Sequence, residues 1–134
     1  MRLYIIRHGQ STNNALEDQT HRVHDPLLSD LGFKQAQMLS DYLEQGVHSE
    51  QRTGESAEDT GVRTVKGYGV TRLYCSAMHR ALLTAFPIGK ALNLNPEVWV
   101  DIHEGGGIFL DYHDDRGIVG FPGKTRGEIL QEFP

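Results

Sequence analysis

Two short segments of this 134-residue chain place cationic and nucleophilic side chains where a strand is expected to end. The first is Arg7-His8-Gly9-Gln10-Ser11, and the second runs from Ser76 to Arg80. In open α/β sheets, ligands bind at the carboxyl ends of the strands. An arginine fork fits phosphate oxygens, and the free N–H groups of a helix N-terminus also attract anions. The two segments together predict one phosphate pocket, although Arg80 alone would also suit a surface ion pair.

The hydrophobic pattern predicts the elements that would carry these segments. Residues 3–6 form an unbroken apolar run, which is typical of a buried strand in a parallel sheet. Ser29 is expected to cap a helix over residues 30–45 that ends at Gly46. Further strands are expected at 70–75 and 98–100, and further helices at about 77–92 and 125–133. Strands that alternate with helices predict an α/β domain with a mostly parallel sheet and flanking helices.

Two stretches lack a regular hydrophobic period. Residues 47–67 are polar and rich in Gly, Thr and Ser, and are predicted to form a polar loop insertion within a single domain spanning 1–134. Residues 105–124 are rich in Gly and Asp and are also predicted to be loop. Pro87 lies inside the second predicted helix, and is expected to kink or split it because proline removes a backbone donor.

Composition narrows the class of protein. A formal net charge of -5 argues against a general nucleic-acid binder. No apolar run approaches the length of a membrane span and no signal peptide is seen, so we expect no membrane contact. A single cysteine, Cys75, excludes a disulfide framework and favours a cytoplasmic setting. We expect Cys75, Met78 and Trp99 to lie in the core.

Four motifs make the chain similar to the histidine phosphatase superfamily, which includes the cofactor-dependent phosphoglycerate mutases. RHGQSTNN resembles the family's Arg-His-Gly signature. DPLLSDLGFKQA resembles Asp-Pro-Pro-Leu-Thr-x-x-Gly-x-x-Gln-Ala, with Leu27 where the second proline is usual. LYCSAMHRALLTA resembles Ser-Pro-x-x-Arg-Ala-x-x-Thr-Ala, with Ala77 in place of proline, and IHEGGG is similar to an acidic segment that follows the third strand. The motifs occur in the family's order, and the resemblance implies the family's α/β fold.

The resemblance implies a role for each matching residue. His8 would be the nucleophile that becomes phosphohistidine, with its other ring nitrogen bonded to a backbone carbonyl. Arg7 and Arg80 would hold the phosphoryl oxygens. Glu104 would be the general acid and then the base for water. The same pocket would be bordered by Asn14, Ser11 and Gln10. No metal and no other cofactor is expected, because arginines and histidines carry the positive charge.

One part of the family pattern has no counterpart in this sequence. The family's second catalytic histidine follows a late strand in a Ser-His-Gly or similar setting, whereas the last histidine here, His113, lies in HDDRG. The final residues, GKTRGEILQEFP, resemble the middle of a family member. We therefore expect residues 1–134 to be the N-terminal part of a longer domain whose C-terminal portion is missing, with little or no activity by itself.

Simpler structural explanations stand beside these roles. His8 could be a buried, hydrogen-bonded histidine, and Glu104 could be a plain surface carboxylate. Two clusters have spacings that would suit a metal ion, but solvated loops of this composition are more common. These clusters are His21, His24 and Asp25, and Asp111, His113, Asp114 and Asp115.

The residue pattern favours one function among four. We expect a phosphatase that hydrolyses a small phosphorylated metabolite. A phosphoglycerate mutase is less favoured, because the residues after Glu104 are Gly-Gly-Gly-Ile-Phe-Leu and lack the mutases' nearby Arg, His and Tyr. The chain could also be a non-catalytic relative that binds a phosphorylated ligand or a partner protein, or a metal-dependent hydrolase. An exposed sheet edge could pair two chains as a homodimer.

Overall fold

The computed structural model describes residues 2–51 and 62–134, and within them the chain forms three α-helices and six short strands. In chain order these are α1 (Asp30–Gln45), β1 (Val47–Gln51), β2 (Val62–Lys66), β3 (Tyr74–Cys75), α2 (His79–Leu92), β4 (Glu97–Val98), β5 (Phe109–Asp111), β6 (Ile118–Gly120) and α3 (Arg126–Glu132). Single turns of 3-10 helix occupy Asn13–Ala15, Gln19–His21, Gly67–Gly69 and Val100–Ile102.

The strands pair two by two. β3 and β4 are parallel, with Tyr74 opposite Glu97 and Cys75 opposite Val98, and α2 forms the crossover between them. β1–β2 and β5–β6 are antiparallel hairpins. The described residues therefore contain the expected strand–helix–strand unit, but only one of their three ladders is parallel, and they form no continuous parallel sheet. Such a unit is the basic element of an α/β fold.

The expected first strand is not found. Residues 3–6 pair with no strand of the described chain, and Leu3 and Ile5 are 76% and 90% exposed. A strand is stabilised by hydrogen-bonded neighbours and by a face to pack against, and an apolar run supplies neither of these. The prediction of a buried strand at residues 3–6 is therefore wrong for this structure.

Hairpins lie within the two stretches that were expected to be loops. The 47–67 insertion starts with β1 and ends with β2 followed by a 3-10 turn, while residues 52–61 lie outside the described part. β5 and β6 occupy part of 105–124, and Gly117 between them has a positive φ of 60°. These strands are too short or too polar to show the two-residue alternation that identifies a strand in a sequence.

The first two helices confirm most of the sequence prediction. The Ser29 hydroxyl accepts the Gly32 N–H at 3.1 Å, as an N-cap should, and Gly46 is the C-cap of α1. α2 begins at His79 and continues as one helix through Pro87, so the expected split does not occur. The Ser40 hydroxyl of α1 donates to the Pro87 carbonyl at 2.8 Å, which ties the two helices together at the proline.

The helices α1 and α2 pack against each other and carry most of the buried apolar side chains of the described chain. These side chains include Ala36 and Leu43 from α1, and Leu82, Ala85 and Ile88 from α2. The buried residues of α2 recur every three residues, and Leu82 and Ala85 pack with Cys75 against the partly buried Leu73, Ile129 and Phe133.

Three further core predictions have mixed outcomes. Cys75 and Met78 are buried, as expected. Trp99 is instead 50% exposed, with its ring against the edge of Tyr74 at 5.8 Å between centroids. Trp99 follows β4, a strand of only two residues, and half of its surface stays in contact with solvent.

The third helix, α3, packs against α2. Thr125 forms a capping box with Glu128, and these hydrogen bonds from Thr125 lower the pKa of the Glu128 carboxyl. His79 Nε2 lies 2.6 Å from Glu132 Oε1, and the Phe133 ring meets Phe86 edge-on at 5.2 Å. Throughout the described ranges, every helix is too short or too polar to cross a bilayer.

Candidate active site

His8 is anchored at both nitrogens of its ring. Nδ1 lies 2.7 Å from the carbonyl oxygen of Gly9, and Arg80 donates its Nε–H to Nε2 at 3.2 Å. A carbonyl oxygen only accepts hydrogen bonds, so Nδ1 carries the proton and the Nε2 lone pair faces the arginine. This is the neutral tautomer that a nucleophilic Nε2 requires, and the backbone contact is the one expected from the sequence.

Arg80 joins His8 to Glu104. The guanidinium donates from Nε to His8, and its Nη2 lies 2.7 Å from Glu104 Oε2. The Arg80 side chain is only 11% exposed, whereas that of Glu104 is 72% exposed. The structure therefore brings three predicted site residues together, with the acid on the solvent side of the arginine.

The backbone around Gly9 is held by both helices. The Gly9 N–H donates to Thr84 Oγ1 at 3.1 Å, and the Gln10 N–H donates to Gln35 Oε1 at 2.8 Å. A Cβ atom at Gly9 would lie 2.5 Å from the Gly32 carbonyl oxygen, so only glycine fits this close approach to α1. Gln35 and Thr84 were not among the candidate site residues. Thr84 could have been found because it lies one helical turn after Arg80 and therefore on the same face.

A distant carboxylate holds the start of α2. The His79 N–H donates to Asp25 Oδ1 at 3.0 Å, whereas the N-cap residue Met78 has no side-chain hydrogen bond of its own. Ser76 directly precedes the helix predicted over 77–92, but its hydroxyl accepts the Met78 N–H at 3.4 Å and the helix begins only at His79. Asp25 thus satisfies a backbone donor in the helical turn that carries Arg80. The sequence does not reveal this role, because Asp25 and His79 lie 54 residues apart.

Arg7 and His8 line one small cavity between the helices. Its volume is about 210 Å³, and the other lining residues are Gly9, Gln35, Ala36, Leu39 and Thr84. A larger cavity of about 440 Å³ is mostly apolar, is lined by residues such as Phe33, Leu83 and Phe86, and does not include His8. The smaller cavity contains Arg7 and the predicted nucleophile His8, whereas Arg80 and Glu104 are not among its lining residues.

The remaining predicted phosphate-binding side chains face other partners. The buried Ser11 hydroxyl donates to Asn14 Oδ1 at 2.7 Å, which closes a local turn. Gln10 Oε1 accepts from the Ser29 hydroxyl at 2.7 Å. Among the described residues, these three side chains make no hydrogen bond to His8 or Arg80, so their contact with a phosphate group stays a prediction.

Most of the residues in the two clusters with metal-like spacing have protein partners. His24 stacks on Phe121 at 4.2 Å, and His113 Nδ1 lies 3.4 Å from Asp111 Oδ2. Hydrogen bonds from Arg116 lower the pKa of Asp114. In the described part of the chain, no three His, Cys, Asp or Glu side chains converge in a way that could hold a metal ion.

The single cysteine is not a second nucleophile. Burial raises the pKa of the Cys75 thiol from its ordinary value to about 11. A thiol with this pKa stays protonated at neutral pH, and the thiolate is the reactive form. Cys75 is therefore a core residue, as the sequence indicated.

Comparisons with known proteins cover the N-terminal region that contains Arg7 and His8. Residues 3–52 match the family model of the histidine phosphatase superfamily (branch 1). Over 42 residues the chain is 48% identical to a probable phosphatase of Schizosaccharomyces pombe, a match that covers 31% of this chain and 19% of the yeast protein. No solved structure is significantly similar to the chain. The resemblance carried by RHGQSTNN and DPLLSDLGFKQA is confirmed, because residues 3–52 are similar to the histidine phosphatase superfamily.

Proposed function

We propose that the chain carries the phosphoryl-accepting half of a phosphatase site, with His8 as the nucleophile for a small phosphate monoester. One observation carries this proposal above the others. His8 Nε2 carries no proton and accepts a hydrogen bond from the Arg80 guanidinium at 3.2 Å. The proposed nucleophile therefore lies next to a cation that can bind an anion. A phosphate group that binds the arginine would take over the Nε–H hydrogen bond from His8 and leave the Nε2 lone pair free to attack phosphorus.

The first step is an in-line displacement at phosphorus. The His8 Nε2 lone pair forms the new N–P bond while the ester P–O bond breaks, and that electron pair leaves with the ester oxygen. Arg7 and Arg80 neutralise the charge on the other phosphoryl oxygens. Arg80 Nη2 now holds the Glu104 carboxylate, so an arriving phosphate group takes the place of that carboxylate on the guanidinium.

Glu104 is suited to the proton transfers. The displaced carboxylate takes the proton of a phosphate monoester monoanion and passes it to the departing ester oxygen. As a carboxylate again, it takes a proton from the water that breaks the N–P bond. Transfers of this kind contribute typically about 10²–10⁴ in rate. Glu104 contacts Arg80 while its side chain is exposed to solvent, so it also has access to water. The chain continues through Gly106 and Gly107, which both have positive φ angles.

Three further facts support a phosphatase. The family matched by residues 3–52 is the histidine phosphatase superfamily, and the yeast relative is described as a probable phosphatase. The Gly-Gly-Gly-Ile-Phe-Leu segment after Glu104 lacks the pattern of the mutases and leaves hydrolysis as the favoured outcome.

An activated ester tests the proposal directly. 2,4-Dinitrophenyl phosphate releases a phenolate that leaves without a general acid, so its first step needs only His8 and the arginines. We expect a burst of about one phenolate per chain and one phosphoryl group on the peptide that contains His8. His8→Asn should abolish both signals. His24→Asn is the matched control and should retain them, because His24 stacks on Phe121 and, among the described residues, makes no hydrogen bond to His8 or Arg80.

Two outcomes would contradict the phosphatase. Equal labelling in His8→Asn would place the chemistry on another residue. Saturable binding of inorganic phosphate with neither burst nor label would show a phosphate-binding module without chemistry.

A further inference from the structure

Two side chains outside the predicted site converge on the backbone next to His8. We infer that Gln35 and Thr84 are positioning residues that set the tautomer of His8 by holding the peptide groups on either side of Gly9. The inference deepens the proposed function and rests on it for its kinetic consequence, while the tautomer itself can be observed independently.

Gln35 orients the carbonyl that holds His8. The Gly9 carbonyl oxygen lies 2.7 Å from His8 Nδ1, and the N–H of the same peptide group, that of Gln10, donates to Gln35 Oε1 at 2.8 Å. A trans peptide is planar, and its C=O and N–H point in opposite directions. Fixing the N–H toward α1 therefore aims the carbonyl at the imidazole ring.

Thr84 holds the preceding peptide group. The Gly9 N–H donates to Thr84 Oγ1 at 3.1 Å, and the Thr84 hydroxyl donates its own proton to the Arg80 carbonyl at 2.8 Å. With its proton used inside α2, the buried hydroxyl can only accept from Gly9. The same turn of α2 carries Arg80, so one helical turn positions both the backbone beside His8 and the cation at Nε2.

Gly9 makes this external support necessary. Glycine has no Cβ and adopts a wide range of backbone angles, so its two peptide groups are not restrained by its own side chain. The residue cannot be replaced by a stiffer one, because a Cβ atom would lie 2.5 Å from the Gly32 carbonyl oxygen. If the Gly9 carbonyl turned away, the proton could move to Nε2, and the lone pair needed for attack would be lost.

The test pairs each variant with a close control. Gln35→Met removes the amide acceptor at similar length, and Gln37→Met makes the same change at a neighbouring residue whose amide contacts Asp41. Thr84→Val removes the hydroxyl at the same shape, and Thr84→Ser keeps it. Multiple-bond ¹⁵N NMR of the imidazole should show the Nδ1–H tautomer in the parent chain and both controls. Gln35→Met and Thr84→Val should show a rising Nε2–H population.

A kinetic measurement separates positioning from simple loss of structure. The burst rate with 2,4-dinitrophenyl phosphate should fall about five- to tenfold in Gln35→Met and in Thr84→Val, the loss expected for one hydrogen bond. The binding constant for inorganic phosphate should stay unchanged, because neither side chain is assigned to hold the anion. Thr84→Ser and Gln37→Met should match the parent chain in both measurements.

The outcomes for the two proposals are distinct. An unchanged tautomer in folded Gln35→Met and Thr84→Val would overturn the positioning inference and leave the phosphatase proposal standing. A tautomer shift in a chain that shows no burst would support the positioning inference and overturn the phosphatase. If Thr84→Val does not fold, Gln35→Met decides the question, because Gln35 lies at the exposed surface of α1.

Discussion

Ile88 and Ile5 have the same side chain and opposite environments. Ile88 lies in α2 against α1 and is 1% exposed, whereas Ile5 lies in the N-terminal segment and is 90% exposed. Both belong to apolar patterns that predict burial, one with helical spacing and one as a continuous run. A helix satisfies most of its backbone internally and needs one face to pack against. A strand needs hydrogen-bonded neighbours as well, and residues 3–6 have none among the described residues.

The same contrast separates the two parts of the site. His8 and Arg80 are fixed by the packed α1–α2 region through Gly9 and Thr84. Glu104 comes from an exposed segment and reaches the site through a single ion pair. Exposed ion pairs contribute little to stability. The packed region therefore sets the geometry of His8 and Arg80, whereas Glu104 joins them from an exposed segment.

The largest difference in stability is expected when isoleucine is replaced by alanine in each of the two regions. Ile88→Ala should reduce the free energy of unfolding by about 2–5 kcal/mol, because it leaves a cavity between the helices. Ile5→Ala should change it by less than about 0.5 kcal/mol, because its side chain is already in water. Urea unfolding followed by circular dichroism measures both. A loss at Ile5 as large as that at Ile88 would mean that residues 3–6 are buried in solution, as the sequence predicted.

A smaller effect on stability is expected when one glycine in each region is replaced by alanine. An added Cβ at Gly32 would lie 2.1 Å from the Gln10 carbonyl oxygen, whereas one at Gly105 would meet no atom within 4 Å. Gly32→Ala should destabilise the chain by about 1–3 kcal/mol, because backbone must shift to relieve the overlap. Gly105→Ala should be nearly neutral. The same denaturation measurement applies, and equal stability of the two variants would show that α1 does not approach residues 9–10 this closely.

A further effect expected in the packed region is a pH dependence of stability. Burial raises the pKa of Cys75 from 9.0 to about 11, so the unfolded chain loses this proton at lower pH than the folded chain does. The stability that the protonated thiol contributes is complete below pH 9 and is lost as the pH rises toward 11. Cys75→Ala removes this titration. The difference in unfolding free energy between parent and variant should therefore narrow across that window, and a constant difference would contradict the burial of the thiol.

Sequence reasoning succeeded where the signal is local. The bounds of α1, the Ser29 cap and the Gly46 end follow from spacing and capping chemistry within a few residues. The pairing of His8 with Arg80 followed from family motifs, which record a contact between distant residues that no local pattern contains. The hairpins β1–β2 and β5–β6 were missed because strand pairing is decided between segments rather than within them.

The sequence by itself determined the residue types of the site and the helices that carry them. The sequence motifs identified four site residues before any coordinates were known, namely Arg7, His8, Arg80 and Glu104. Only the tertiary structure decided that Asp25 holds the start of α2, that Gln35 and Thr84 hold the peptides around Gly9, and that residues 3–6 stay exposed. The physical reason is that a hydrogen bond to a backbone group depends on where the backbone passes. A peptide N–H is the same in every residue, so the sequence does not mark which side chain will reach it.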